Sequence, residues 1–161
     1  MIDDANLAQA ETLLTATRAR GFKIATAESC TGGLIAATLT AIAGSSDVVD
    51  RSFVTYSNEA KAEMLGVDPG MIATFGAVSE QVAGAMAKGA LERSNANITI
   101  AVTGVAGPGG DSAAKPVGLV WFGLATRTTI YSEYLIFPGD RTAVRAATVK
   151  HALYMIEKHP P

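Results

Sequence analysis

The sequence predicts an α/β domain, a three-layer α/β/α sandwich around a mixed sheet of about five strands. Short apolar runs of strand length alternate with helical patterns over the first two thirds of the chain, as parallel strands with crossover helices require. Two such runs then follow each other across a tight turn, which makes them antiparallel neighbours. A last helical pattern closes the chain.

Leu7, Leu13, Leu14 and Ala16 recur at helical spacing with Glu11, Arg18 and Arg20 between them, and Gly21 stands where a helix stop is expected. Phe22 to Ala27 is a short apolar run bounded by polar residues, the pattern of a buried strand. Ser29-Cys30-Thr31-Gly32-Gly33 makes a tight turn, and Leu34 to Ile42 a helix that leaves it, closed by Gly44-Ser45-Ser46. Arg51 to Ser57 sets Phe53, Thr55 and Ser57 against Ser52, Val54 and Tyr56, a strand alternation. Asn58 is placed to cap a helix from Glu59 to Leu65, and Pro69 to start another short one. Ser79 is expected to cap a long Ala-rich helix ending near Arg93. Ile98 to Val102 is a buried strand, followed by a glycine-rich loop from Gly104 to Asp111. Val117 to Thr126 and Ile130 to Phe137 form the hairpin, and Asp140 caps a final helix running to about Lys158.

Composition narrows the class. A length of 161 residues suits one domain over 1–161. Only 17% of residues are charged, which points to a surface that packs against further copies, a dimer or higher homo-oligomer. A net charge of −2 argues against a nucleic-acid partner held by phosphate neutralisation. The single cysteine excludes an internal disulfide and fits a reducing cytoplasm. Met1 to Gln9 carries Asp3 and Asp4 and no basic residue, unlike a targeting peptide. No apolar run approaches the roughly 20 residues that span a bilayer.

Four segments carry chemistry. In the first, Ala25 to Gly33, a buried strand feeds a turn that opens a helix, at the sheet edge where α/β ligand sites lie. The helix start is expected to offer unpaired N–H groups to an anion or a developing oxyanion. Ser29, Cys30 and Thr31 stand in a row as nucleophile candidates, and all three residue types are equally at home in a cap or turn. In the second, Phe53 to Lys61, Tyr56 sits at a strand end and Lys61 one turn into the following helix. A cation there opposes the helix dipole, whose field lowers its pKa. A free lysine titrates at about 10.4, so a lysine base must be pulled far down by burial and its neighbours. A solvated helix lysine beside a half-buried tyrosine is the plain alternative. The third, Thr103 to Asp111, is neither a Walker nor a Rossmann loop, and its glycines suit either a backbone cradle or a surface loop. In the fourth, Arg141 and Arg145 share one face at the start of the last helix, a place that suits a docked phosphate or, more simply, a solvated charged face. His151 and His159 have no partner at metal-ligand spacing, and no metal or organic cofactor is expected.

Together the segments Ala27 to Gly33, Val54 to Lys61, Gly76 to Glu80, Gly104 to Pro108, Lys115 to Gly118 and Gly139 to Arg141 resemble the C-terminal domain of the competence/damage-inducible protein CinA. The resemblance covers essentially the whole chain. It implies the same α/β/α fold and the activity of the stand-alone members, nicotinamide-nucleotide amidases of bacterial pyridine-nucleotide salvage. These deamidate nicotinamide mononucleotide to nicotinate mononucleotide and ammonia. Carried over by position, Ser29 is the nucleophile, Lys61 the base and Tyr56 its partner. Arg145, with Arg141, holds the phosphate of a small-molecule nucleotide substrate. Thr31, Gly32, Thr103, Gly104 and Gly107 line the pocket. Glu28 beside Lys61 would raise the pKa of the base, so its carboxylate is expected to face backbone N–H groups or the substrate ribose. In the family the loop reads Gly-Pro-x-Gly-Gly, and Asp111 here takes the place of the last glycine. Longer relatives carry an N-terminal domain resembling molybdopterin-binding proteins, absent from these residues. Two rival readings stand beside the amidase: Cys30 as nucleophile with a histidine base, and a non-catalytic nucleotide-binding or regulatory module.

Overall fold

Backbone pairing sorts the strand-forming segments into one mixed sheet. A computed structural model describes residues 2–161. The elements run α1 (Asp4–Ala19), β1 (Ile24–Glu28), α2 (Leu34–Thr40), β2 (Val49–Val54), α3 (Asn58–Leu65), α4 (Pro69–Phe75), α5 (Glu80–Glu92), β3 (Ile98–Gly104), β4 (Leu119–Thr126), β5 (Ile130–Ile136) and α6 (Arg141–Lys158). The sheet has five strands in the order β2-β1-β3-β4-β5. β1 is parallel to β2 and β3, and the hairpin strands β4 and β5 are antiparallel.

The two faces of the sheet differ in bulk. Ile24, Ile98, Ile100, Val102, Phe122 and Leu124 point to one side and form the larger core under α1, α2 and α6. Ala27, Ala101 and Ala125 point to the other side, under α3, α4 and α5. This alternation of large and small residues follows from the two-residue period of a strand. The small face lets α5 sit close. Thr99 Oγ1 donates to the Ala87 carbonyl at 2.7 Å, and a Cβ on Gly123 would collide with the Ala83 carbonyl.

Boundaries moved by a few residues where tertiary contacts outweighed local pattern. The second strand is Val49–Val54 rather than Arg51 to Ser57, because its register follows Ile24 to Glu28 of β1 and ends when the Thr55 N–H meets the Glu28 carbonyl at 2.9 Å. That early end frees Ser57, and its hydroxyl, not the Asn58 side chain, accepts the Ala60 N–H and caps α3. The caps expected of Ser79 and Asp140 are present. No helix among the described residues is long and apolar enough to cross a membrane.

Candidate active site

Parallel pairing gathers the carboxyl ends of β1, β2 and β3 at one edge, where Glu28 lies level with Val54 and Val102. β1 is buried along its whole length. Its ladder runs one residue further, with the Ser29 N–H donating to the Val102 carbonyl at 3.0 Å. The chain then turns sharply through Gly32 and Gly33, whose φ angles of 58° and 96° suit glycine. The turn presents Ser29 at the sheet edge while α2 leaves behind it.

α3 brings Lys61 to the same point. Lys61 and Leu65 form its buried stripe, four residues apart, and Lys61 is only 1% exposed. Its Nζ lies 3.0 Å from Ser29 Oγ and 3.0 Å from the Thr55 carbonyl. Among the described residues Lys61 has no salt-bridge partner. Burial without a carboxylate penalises the ammonium and lowers the pKa from its ordinary 10.5, with Cys30 acting weakly the other way. Across this contact an ammonium donates to Ser29 Oγ, whereas a neutral amine has a lone pair able to accept a proton from it.

The Glu28 carboxylate does not raise that pKa, because it faces away. It is fully buried, and Thr26 Oγ1, Thr31 Oγ1 and the N–H groups of Gly33, Ile35 and Ala36 all donate to it at 2.7–3.1 Å. Gly33, the N-cap residue of α2, has no side chain to cap with, and the strand supplies the cap instead. The carboxylate thus faces backbone N–H groups, as expected of it, while two other expectations change. The first turn of α2 is not an open anion site, since an internal carboxylate already occupies it. Glu28 and Thr31 hold the turn from within, their side-chain oxygens bonded to each other and to N–H groups of the turn and α2 rather than lining the cleft. Glu28→Ala leaves those donors buried and unpartnered, so we expect a loss of about 3 kcal/mol in urea unfolding together with loss of activity. A variant within about 1 kcal/mol of the wild type would contradict this placement.

Tyr56 lies outside this buried pair. Thr55 and Tyr56 alternate across the strand end, so Thr55 is buried and Tyr56 is 60% exposed. The expected Tyr56–Lys61 partnership is therefore replaced by the Thr55 carbonyl, a backbone group that residue type cannot reveal. The Tyr56 hydroxyl instead accepts from Arg141 Nη2 at 2.9 Å, while Arg141 Nη1 donates to the Gly107 carbonyl at 2.9 Å. Arg141 thus joins the β2–α3 connection to the glycine loop at the rim. Arg145 reaches the turn, Nη2 donating to the Thr31 carbonyl at 2.8 Å beside Gly32, and its buried Nε has no partner among the described residues.

The remaining pocket candidates hold backbone in place. The Thr103 hydroxyl donates to the Ala77 carbonyl at 2.9 Å and so fastens the loop before α5. A Cβ on Gly104 would press on the Leu119 carbonyl at 2.7 Å. Cys30 turns into the larger core, and burial pushes its thiol up to about 12, so it stays protonated at neutral pH. His151 contacts Glu133, and His159 stacks on Tyr131. The cysteine–histidine reading thus loses both its thiolate and its base.

Comparison with known proteins agrees with this architecture. The chain is 53% identical over 131 residues to the nicotinamide-nucleotide amidohydrolase PncC of Enterobacter agglomerans, covering 81% of this chain and 80% of that protein. It is 50% identical over 139 residues to a putative competence-damage inducible protein of Caldicellulosiruptor saccharolyticus, covering 86% of this chain. The chain spans about a third, 34%, of the length of that relative. The crystal structure of competence/damage inducible protein CihA from Agrobacterium tumefaciens superposes with a TM-score of 0.95 at 50% identity, covering 98% of this chain and 97% of that one. Residues 6–159 match the family profile of the CinA C-terminal domain, and this chain belongs to that family.

Proposed function

We propose that the protein is a nicotinamide-nucleotide amidase that deamidates nicotinamide mononucleotide through a serine–lysine acyl-enzyme. The observation that carries the reading is the buried 3.0 Å contact between Ser29 Oγ and Lys61 Nζ, with no carboxylate on the amine among the described residues. The kinship with proteins named nicotinamide-nucleotide amidohydrolase supplies the substrate.

Neutral Lys61 takes the hydroxyl proton as Ser29 Oγ bonds to the carboxamide carbon. The N–H groups of Cys30 and Thr31 follow Ser29 in the turn, and among the described residues they donate to no backbone carbonyl outside the regular elements. They are the donors proposed for the oxyanion, a contribution worth about 3–4 kcal/mol for a single donor where it has been removed. Lys61 then hands its proton to the leaving nitrogen as the C–N bond breaks, and ammonia departs. A water, deprotonated by Lys61, attacks the ester carbon. The C–O bond to Ser29 breaks, the hydroxyl recovers its proton and nicotinate mononucleotide leaves. Exposed Arg141 and the turn-bound Arg145 supply the cationic groups for the phosphate.

The direct test is release of ammonia from nicotinamide mononucleotide by the purified protein in the presence of EDTA. One ammonia for each nicotinate mononucleotide formed is expected. Binding of the nucleotide without ammonia release would overturn the amidase in favour of the non-catalytic nucleotide-binding module.

A further inference from the structure

The two edges of the sheet are finished differently. The β2 edge carries Asp50 and Arg51, joined at 2.7 Å and tied to the backbone of Asn95 and Arg93, and its ladder with β1 is broken by a register shift. Charges and irregular register are how edges are kept from pairing. The β5 edge has neither. Its register with β4 is unbroken over Ile130 to Ile136, and it holds no proline, lysine or arginine. Its one charge, Glu133, is engaged by Tyr131 and His151 on the α6 side. Ile130, Tyr134 and Ile136 are 52%, 53% and 56% exposed.

The open groups of this edge can be assigned by alternation. The Phe137 N–H donates to the Gly118 carbonyl and the Thr126 N–H to the Thr129 carbonyl, so the odd-numbered residues of β5 face β4. The N–H and C=O groups of Ile130, Ser132, Tyr134 and Ile136 point outward, and among the described residues β5 pairs with β4 alone. Evenly spaced backbone groups of this kind are matched by another extended strand.

We propose that the β5 edge pairs antiparallel with β5 of a second copy of this chain, about a two-fold axis at Ser132, so that the two sheets become one. Outward positions must oppose outward positions, which leaves few registers. An axis at Glu133 would set like carboxylates opposite each other. An axis at Tyr134 would oppose Ile130 to the partner's Pro138, which has no N–H. An axis at Ser132 sets Ile130 against the partner's Tyr134, Tyr131 against the partner's Glu133, and Ser132 against itself. The segment Ile130 to Tyr134 is thus its own complement, which favours a copy of this chain over an unrelated strand. The pairing forms about six backbone hydrogen bonds and covers the exposed tyrosine and isoleucine. None of these residues belongs to the proposed amidase site, so the interface stands or falls independently of it.

Sedimentation equilibrium between about 1 and 100 μM tests the interface. The wild type is expected at twice the 16.6 kDa chain mass. Ser132→Pro removes an N–H that takes no part in the β4 ladder, and it is expected to halve the mass while leaving the circular dichroism spectrum unchanged. Should that variant fail to fold, Tyr134→Lys, which charges the edge, decides by the same readout. A wild type that stays at 16.6 kDa throughout overturns the proposal and leaves the edge to some other chain or to none. A wild-type mass that the deciding variant retains also overturns it, because the contact must then lie elsewhere.

Discussion

Ser29→Ala is expected to lower ammonia release from nicotinamide mononucleotide by about ten-thousandfold or more, with the fold intact and nucleotide binding retained. The methyl group fits where the hydroxyl was, and Lys61 keeps its contact with the Thr55 carbonyl. The loss of one hydrogen bond to the amine costs the fold about 1 kcal/mol. Rate and stability therefore separate, and this separation is the informative result. A folded Ser29→Ala protein that keeps turnover within about tenfold of the wild type would exclude an acyl-enzyme at this position, since no other hydroxyl contacts Lys61 Nζ among the described residues.

Lys61→Met is expected to lower kcat/KM by about a thousandfold, within the range a general base contributes. Methionine keeps much of the volume and discards the amine. The same substitution reads the electrostatics of the site. Burial lowers the pKa of Lys61 in the folded protein below the ordinary 10.5 it regains on unfolding. Between those two values the unfolded chain binds more protons than the folded one, so stability rises with pH across that window. Below the folded value both states are protonated, and the buried charge imposes its full penalty. Urea midpoints measured at neutral pH and near pH 10 are expected to rise in the wild type relative to Lys61→Met. The acid limb of the wild-type kcat/KM profile, which requires neutral Lys61, is expected below 10.5 as well. A limb at or above 10.5, or the same limb in Lys61→Met, would remove Lys61 as the base.

Secondary structure was largely legible because its causes are local. The hairpin from Val117 to Phe137 and the α6 cap at Asp140 were both recognisable from period and turn chemistry, and both are present. The segment from Val49 to Asn58 carries less of its structure in local pattern. Its alternation was visible, but the end of β2 depends on the Glu28 carbonyl of another strand, and the choice of Ser57 as cap follows from that end. Boundaries of this kind depend on partners distant in sequence.

The candidate site divides in the same way. Its segments and chemical types are written in the chain, and the order of those segments was enough to name the family. Their orientation is not. The helix start behind Ser29 had the features of an open anion site, yet Glu28 reaches across the turn to occupy it. Tyr56 had the features of a partner for Lys61, yet strand alternation turns it outward to Arg141.

By itself, then, the sequence determined the elements, their α/β class and the family, because periodicity, caps and motif order are properties of neighbouring residues. Tertiary structure alone decided that of Ser29, Cys30 and Thr31 the first meets Lys61, across 32 residues of chain, and that the amine is buried there and, among the described residues, without a counter-charge. The physical reason is that burial, and with it the pKa of a lysine, depends on which distant elements close over it, whereas residue type depends on nothing but the position itself.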